Sequence, residues 1–455
     1  MDAISSLLIS YLFVLLGSIF THGFYSFSGV VIILVSFVLL IFSYKYPSYE
    51  RNKNRNLLFF AKFILIQSSI FSLLLYGGLY QVNIFSIVQI SQILLMIAFI
   101  LTLLYLFNRP LVFVKSKFKY LIVIFIIVHF LMIVSSPDPK IDIFRSLKYG
   151  SAGLLSLKNP YQEVYPQLYQ DKILNYFSYF PTILFYFFPF QIIFGDVRVG
   201  IVFAQLLIAF LLYRLFKKNK IQPVMSQILI LIFLYFPLNS YITEQSFVDV
   251  IIVLGIILLF YYVYYPVNND KFLYLSSILL MNTKQIFFVL TPLFLFRNNY
   301  LKDMKSVIKC YFFSSLLSLP FFLWSWRDFL YDTVLIYFQP PQGVSADASL
   351  NIRSLLVNFF HITVNQNIFL ILAGVLLLIV LYKSNSQKNS LFRGFSIFFL
   401  GFFIVGSIAY MNHYYLAASL ILIYICSLIL DTNHSSPAKP INKRNESQKQ
   451  FIAGS

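Results

Sequence analysis

The sequence predicts an all-α, polytopic integral membrane protein, and its composition and apolar pattern carry this prediction. Of the 455 residues, 59% are hydrophobic and only 11% are charged, whereas soluble domains carry about 25% charged residues. Apolar runs of about 20 residues recur along the whole chain, and in lipid such runs must be helices, because every backbone polar group needs an internal partner. This composition excludes a soluble enzyme, a disordered chain and a secreted disulfide scaffold.

The apolar runs predict about twelve full spans, a hairpin of two short helices, and further helices beside the outer membrane surface. The predicted spans lie at residues 5–20, 29–44, 57–79, 84–107, 120–135, 199–216, 224–242, 246–265, 307–324, 366–382, 394–411 and 413–430. The polar tail, 431–455, is predicted to be disordered and cytoplasmic.

The net charge of +18 is explained by topology. With both termini in the cytoplasm, the inner side holds 25 of the 34 Lys and Arg residues and 6 of the 16 acidic residues. The outer side holds the other 9 basic and 10 acidic residues. This asymmetry is what the positive-inside rule requires, so the basic excess does not call for a nucleic-acid partner.

The same charge pattern decides two ambiguous apolar segments. Residues 180–194 are too few to span, and a span there would place the basic cluster 214–220 outside, so we expect a helix lying at the outer surface. Residues 272–296 have to enter and leave on the inner side. Two helices of about 11 residues, each about 16 Å long, would do this by turning at 282–285 in the outer half of the membrane.

Two long outer segments, 136–198 and 325–365, are predicted to fold as caps over the membrane. The first cap begins with Asp138 and Asp142, which are four residues apart and share one face if the segment is helical. Both could instead cap a helix or be solvated, since Asp is favoured in a first helical turn. The two cysteines and five histidines show no metal-ligand spacing. No metal site is predicted, although a divalent ion shared by the two aspartates stays open.

Several short motifs occur in a recognisable order along the chain. The first cap contains Asp142 followed by a helix, a Lys-Asn-Pro-Tyr turn at 158–161, Tyr-x-Pro at 179–181 and Phe-Gly-Asp-Val-Arg at 194–198. Further motifs follow: Thr-Glu-Gln at 243–245 with Asp249, Thr-Lys-Gln at 283–285, Leu-Pro-Phe at 319–321, the segment 324–329, and 347–350 with Arg353. In this order they resemble the GT-C class of glycosyltransferases, in its prokaryotic mannosyltransferase-like and arabinofuranosyltransferase-like branch. The resemblance covers about 138–415.

The resemblance implies a catalytic module at 119–430, with the four leading spans, 1–118, as an extension of unknown role. It implies transfer of a hexose such as mannose, with inversion, from a polyprenyl-phosphate sugar to a glycan, glycolipid or protein acceptor. The reaction would occur at the extracytoplasmic face of a prokaryotic plasma membrane, without a cofactor. Within this reaction the implied general base is Asp142, with Asp138 second. The implied donor-phosphate ligands are Lys284, Arg198 and Arg353, and the implied sugar or acceptor ligands are Glu244, Gln245, Asp249, Gln285 and His413.

Structural roles remain open for most of these residues. Arg198 could pair with Asp196, and Arg353 with Asp347. Lys284 could reach the membrane surface, or it could pair with Glu244 or Asp249. His413 could be an interfacial anchor. Two other functional classes also stay open: a secondary transporter or lipid flippase, which would favour broken helices at the midplane, and an assembly partner with a decayed site.

Overall fold

The computed structural model describes residues 3–43, 54–75, 79–82, 85–107, 111–169, 172–265, 270–338, 346–406 and 408–434. Within these ranges the chain is almost entirely helical, as predicted. Much of the predicted tail and the basic residues 45–53 lie outside them. The part of the tail that is described, 431–434, is helical and ends the last helix, contrary to the prediction of disorder.

The N-terminal half begins with five helices and continues through the first cap. Its helices are α1 (Ala3–Ile19), α2 (Phe27–Phe42), α3 (Asn54–Leu74), α4 (Phe85–Phe107), α5 (Leu111–Ser135), α6 (Asp142–Leu155), α7 (Pro181–Phe194), α8 (Arg198–Lys218), α9 (Pro223–Leu234) and α10 (Leu238–Gln245). The C-terminal half has α11 (Asp249–Tyr264), α12 (Asp270–Met281), α13 (Gln285–Arg297), α14 (Met304–Trp324), α15 (Trp326–Thr333), α16 (Ile352–Asn358), α17 (Gln366–Lys383), α18 (Lys388–Val405) and α19 (Met411–His434).

Eleven of the twelve predicted spans each overlap mainly one helix and the span at 224–242 overlaps two, but the count of twelve full spans is not confirmed. In the described part of the chain, eight helices are individually long and apolar enough to cross a membrane, and a bent pair makes a ninth. The helices α1, α2 and α11 have 17, 16 and 16 residues. At 1.5 Å per residue they reach only about 24–26 Å, against a hydrocarbon core of about 30 Å.

The span predicted at 224–242 is broken in the structure. It consists of α9 and α10, which meet at an angle of 47°. Pro237 lies at the break, where its missing N–H and its ring prevent the helix from continuing. The side-chain amide of Asn239 donates to the carbonyls of Phe233 (2.6 Å) and Leu234 (2.9 Å) at the end of α9. These hydrogen bonds replace the helical hydrogen bonds that the two carbonyls lose at the break.

The short-helix hairpin and the cap helices are present as predicted. Helices α12 and α13 have 12 and 13 residues and are separated by residues 282–284. Helix α6 has Asp142 in its first turn, and α7 begins with Pro181, whose fixed φ suits a first helical position. One element was not predicted: an antiparallel pair of short strands, Tyr165–Tyr169 and Lys172–Leu174, in the first cap.

The loops predicted on the outer side meet at one end of the bundle. The Tyr25 N–H, in the α1–α2 turn, donates to the Ala348 carbonyl in the second cap (2.8 Å). The Tyr241 hydroxyl in α10 lies 2.8 Å from Nδ1 of His22 in the same turn. The four leading helices are therefore not a separate appendage, because their loops bond to the predicted catalytic module.

Basic residues predicted to be cytoplasmic contact the chain at the opposite end. Arg297 Nε donates to the Leu381 carbonyl (2.6 Å), and Lys388 Nζ lies 5.6 Å from the centre of the Tyr264 ring. The fold therefore separates the two groups of loops that the charge pattern assigned to opposite membrane faces.

Substitution of Gly23 tests how tightly the α1–α2 turn packs on α19. Gly23 has a φ of +73°, and a Cβ there would lie 2.3 Å from the Met411 amide nitrogen. We expect Gly23→Ala to lower the free energy of unfolding by about 2 kcal/mol or more. The thermal midpoint of the detergent-purified protein should fall accordingly. Gly374→Ala is the matched control, since a Cβ at Gly374 meets nothing within 4 Å and alanine favours a helix by about 1 kcal/mol. Equal midpoints for the two variants would contradict this packing.

Candidate active site

The hairpin turn between α12 and α13 is attached to the first cap. The Phe180 N–H donates to the Thr283 carbonyl (3.3 Å), and the side-chain amide of Gln285 donates to the Ser178 carbonyl (3.0 Å). Lys284 lies between these two contacts, as the residue that precedes α13. The turn is therefore held at the outer end of the bundle by hydrogen bonds to the extended segment before α7.

Lys284 forms a partly buried ion pair with Asp249, which was one of the alternatives left open by the sequence. Lys284 Nζ lies 2.9 Å from Asp249 Oδ1, and the two side chains are 20% and 1% exposed. Asn412 donates to the other oxygen of Asp249 (3.0 Å). A buried carboxylate is stable only when it is paired and hydrogen-bonded. Lys284 has three N–H donors, so the pair leaves donors for an anion at its exposed side.

Asp142 is a half-buried carboxylate at the start of α6. Its Oδ1 accepts a hydrogen bond from the Ile143 N–H (2.9 Å), and its Oδ2 lies 3.5 Å from the Tyr176 hydroxyl. Among the ion pairs in the described part of the chain, none includes Asp142. Asp142 therefore lies in a first helical turn, as one interpretation from the sequence has it, and its role as a base stays a prediction.

Asp138 has a different environment. It lies 2.6 Å from Lys140 Nζ and 2.8 Å from Arg145, and its side chain is 49% exposed. Partial burial alone would raise its pKa, but the hydrogen bond from Lys140 and the charges of Arg145 and Lys140 lower the pKa of this carboxyl overall. Two cations therefore make Asp138 a weaker base and a poorer ligand for a further cation.

The extended segment 176–180 connects both caps with the hairpin. Besides its contacts with α6 and with the hairpin, it bonds the second cap, because the Phe177 N–H donates to the Asp332 carboxylate in α15 (2.7 Å). The Tyr161 hydroxyl donates to the Tyr179 carbonyl (2.8 Å). The segment therefore contacts both Asp142, through the Tyr176 hydroxyl, and the turn that carries Lys284.

Arg198 and Glu244 lie in a buried junction apart from the Lys284–Asp249 pair. Arg198 is 1% exposed and pairs with Asp196 (2.6 Å), as the structural alternative from the sequence had it. It also donates to the carbonyls of Ser136 (2.6 Å) and Ile133 (3.2 Å). Glu244 is fully buried and does not pair with Lys284. These contacts favour a structural role for both residues.

The remaining predicted site residues have contacts of their own. Arg353 lies 3.4 Å from Asp347 in the second cap, so the pairing alternative holds there too. His413 follows Asn412, accepts from the Tyr410 N–H (3.1 Å) and contacts the Phe403 ring. Gln245 is buried at the end of α10. No group of three potential metal ligands occurs among the residues that the structure describes.

Two residues of this region were missed from the sequence. Asn412 directly precedes the predicted ligand His413, and its side-chain amide donates to Asp249. Asp332 in the second cap is 1% exposed, and burial, together with the nearby Asp328 carboxylate, raises its pKa to about 7 in spite of the Phe177 hydrogen bond. The available signal was its position in the amphipathic helix α15, where Asp332 lies on the same face as the buried Phe329.

The motif order and the contacts described above are the basis for assigning a function. No protein-family model, no curated protein and no solved structure matches this chain.

Breaking the Lys284–Asp249 pair tests its contribution to the fold. We expect Lys284→Gln to lower stability by about 3 kcal/mol, because it leaves a buried carboxylate without its cation. The double variant Lys284→Gln with Asp249→Asn should recover most of the loss in thermal midpoint. Lys158→Gln is the control, since Lys158 is 60% exposed and lies 3.8 Å from Glu163, a surface pair worth well under 1 kcal/mol. A loss as small as that of the control would show that the pair is not a buried one.

The raised pKa of Asp332, which joins the two caps, predicts that the stability of the protein depends on pH. Its folded pKa of about 7 lies above the ordinary 3.8, so the folded state holds a proton that the unfolded state releases between these values. Stability should therefore fall as the pH rises from about 4 to 7 and stay level above that. The carboxyl of Asp328 and the phenols of Tyr161 and Tyr165 are the titratable groups that interact with it.

Thermal midpoints at pH 5 and pH 8 measure this dependence. We expect Asp332→Asn, which keeps an acceptor for the Phe177 N–H, to lose less stability than the wild type between the two values. Asp138→Asn is the control, because its pKa is lowered and its contribution disappears only in more acidic solution. The same pH slope in the wild type and in Asp332→Asn would refute the assignment.

Proposed function

We propose that this chain is a GT-C-type membrane glycosyltransferase. In this proposal it moves a hexose such as mannose from a polyprenyl-phosphate carrier to an acceptor hydroxyl, at the extracytoplasmic face of a prokaryotic plasma membrane. The observation that carries the proposal is the placement of Lys284: a partly exposed cation, oriented by Asp249, on a turn bonded to the same segment that contacts Asp142. A lipid-phosphate leaving group needs such a cation beside the outer surface.

In the proposed reaction, Asp142 accepts the proton of the acceptor hydroxyl. The acceptor oxygen forms a bond to the anomeric carbon while the bond from that carbon to the phosphate oxygen breaks, which inverts the configuration. The electron pair leaves with the polyprenyl phosphate, whose charge Lys284 stabilises. A base must lie within hydrogen-bond reach of the proton that it accepts. Asp142 is half-buried, and no cation in the described part of the chain pairs with it.

Contacts within the caps support the order of the two candidate bases. Asp138 is neutralised by Lys140 and Arg145, so the proposal keeps Asp142 as the base. Arg353 is a second phosphate ligand, and Gln285 and His413 are sugar or acceptor ligands. Arg198 and Glu244 serve the scaffold, because their polar atoms already bond protein groups. A glycan, glycolipid or protein acceptor fits equally well.

One observation favours a second candidate function, a secondary transporter or lipid flippase. Such proteins use discontinuous helices near the midplane, and the α9–α10 pair is broken at Pro237. Buried polar groups lie beside the break, where the Gln205 amide donates to the Asn239 side chain (3.1 Å). Two folded caps, and an Asp142 with no cation partner among the described residues, are less readily explained by transport alone.

Sugar transfer in oriented membrane vesicles tests the proposal. A panel of radiolabelled polyprenyl-phosphate sugars is supplied at one face, with wild type, Asp142→Asn and Asp138→Asn side by side. We expect transfer by the wild type and at least a 100-fold loss in Asp142→Asn, as is usual when a general base is removed. Asp138→Asn should retain most of the activity.

A control variant and two contrary outcomes complete the transfer experiment. Asp270→Asn, an acid-to-amide change in α12 with a Tyr262 hydroxyl as partner, should transfer like the wild type. Equal transfer by wild type and Asp142→Asn would exclude Asp142 as the base. Labelled lipid that crosses the bilayer without transfer would establish the flippase instead.

A further inference from the structure

Glu244 is a fully buried carboxylate, and two of its bonding partners come from the leading part of the chain. Its Oε2 accepts from the Leu79 N–H and its Oε1 from the Tyr80 N–H, both at 2.9 Å. The Ser136 hydroxyl lies 3.2 Å from Oε1. Two successive backbone N–H groups that meet both oxygens of one carboxylate form charge-assisted hydrogen bonds, which are about twice as strong as neutral ones.

The loop 79–82 that Glu244 binds is also bonded to the end of α5. The Val82 N–H donates to the Ser135 carbonyl (2.9 Å), and the Gln81 side-chain amide lies 3.3 Å from Ser135 Oγ. The Ser136 hydroxyl is 3.0 Å from the Tyr80 carbonyl. The loop therefore lies between Glu244 and the point where the first cap leaves the bundle.

The same point is held from its other side by Arg198. Its guanidinium bonds the carbonyls of Ser136 and Ile133, and it lies 4.9 Å from the centre of the Phe144 ring in α6. Asp138 and Asp142 follow Ser136 by two and six residues. The direction in which the first cap leaves α5 thus depends on two buried charged groups, one of which acts through the loop 79–82.

We infer that Glu244 is a positioning residue that fixes the loop 79–82 against Ser135 and Ser136, and that the four leading helices are thereby part of the scaffold of the first cap. The inference does not depend on glycosyl transfer, because it concerns the placement of the cap whatever reaction occurs there. It gives the leading helices a role: α3 and α4 present this loop to the bundle.

Hydrogen–deuterium exchange of the full-length protein in detergent tests the inference. In Glu244→Ala we expect the amides of Leu79 and Tyr80 to exchange at least tenfold faster than in the wild type. Amides in the segment 138–145 should also exchange faster, while those in the interior of α19 stay unchanged as a reference for global stability. Glu244→Gln, which keeps one acceptor oxygen, should give an intermediate rate at 79–80.

The matched control is Asp270→Asn, which should leave exchange at 79–80 and 138–145 as in the wild type. If Glu244→Ala does not fold, the comparison of Glu244→Gln with the control carries the test. Unchanged exchange at 79–80 in a folded variant would overturn the role of Glu244 in holding the loop. If exchange becomes faster at 79–80 but stays at the wild-type rate at 138–145, the inference that Glu244 positions the cap is overturned.

Discussion

The hydrogen-bonded ion pair between Lys284 and Asp249 is the interaction on which the outer end of the bundle depends. Asp249 begins α11 in a 1% exposed position, where a carboxylate needs both a cation and further donors. Lys284, on the turn between α12 and α13, supplies the cation. Asn412 supplies the second donor from the start of α19. One buried charge thus brings three separate parts of the sequence together.

Around this pair, the extended segment 176–180 determines which movements are available. It bonds α6, α15 and the hairpin turn at successive residues. Movement of either cap therefore has to break or carry along contacts with Lys284's turn. A substrate held between Asp142 and Lys284 would contact elements that are already joined, which is the preorganisation that electrostatic stabilisation of a leaving group requires.

The sequence predicted the positions of the helices well, and it predicted the hydrogen-bond partners of buried polar side chains poorly. The two short helices that meet near 282–285 followed from the charge pattern, and the structure contains both of them. The break at Pro237 was missed, because the apolar run continues through it and hydropathy does not record a lost N–H. Glu244 was expected near the substrate, whereas it bonds Leu79 and Tyr80, about 160 residues earlier in the chain.

By itself, the sequence predicted a helical chain with many long apolar helices, which the structure has, and it assigned the loops to two sides by their charge. Both follow from averages over many residues: apolar length, and the number of basic residues in each loop. Only the tertiary structure decided that Asp249 takes Lys284 and Asn412, that Arg198 takes Asp196 and Ser136, and that Glu244 takes the loop 79–82. A buried polar group must find its partner within about 3 Å, and that choice depends on which distant segments packing brings together.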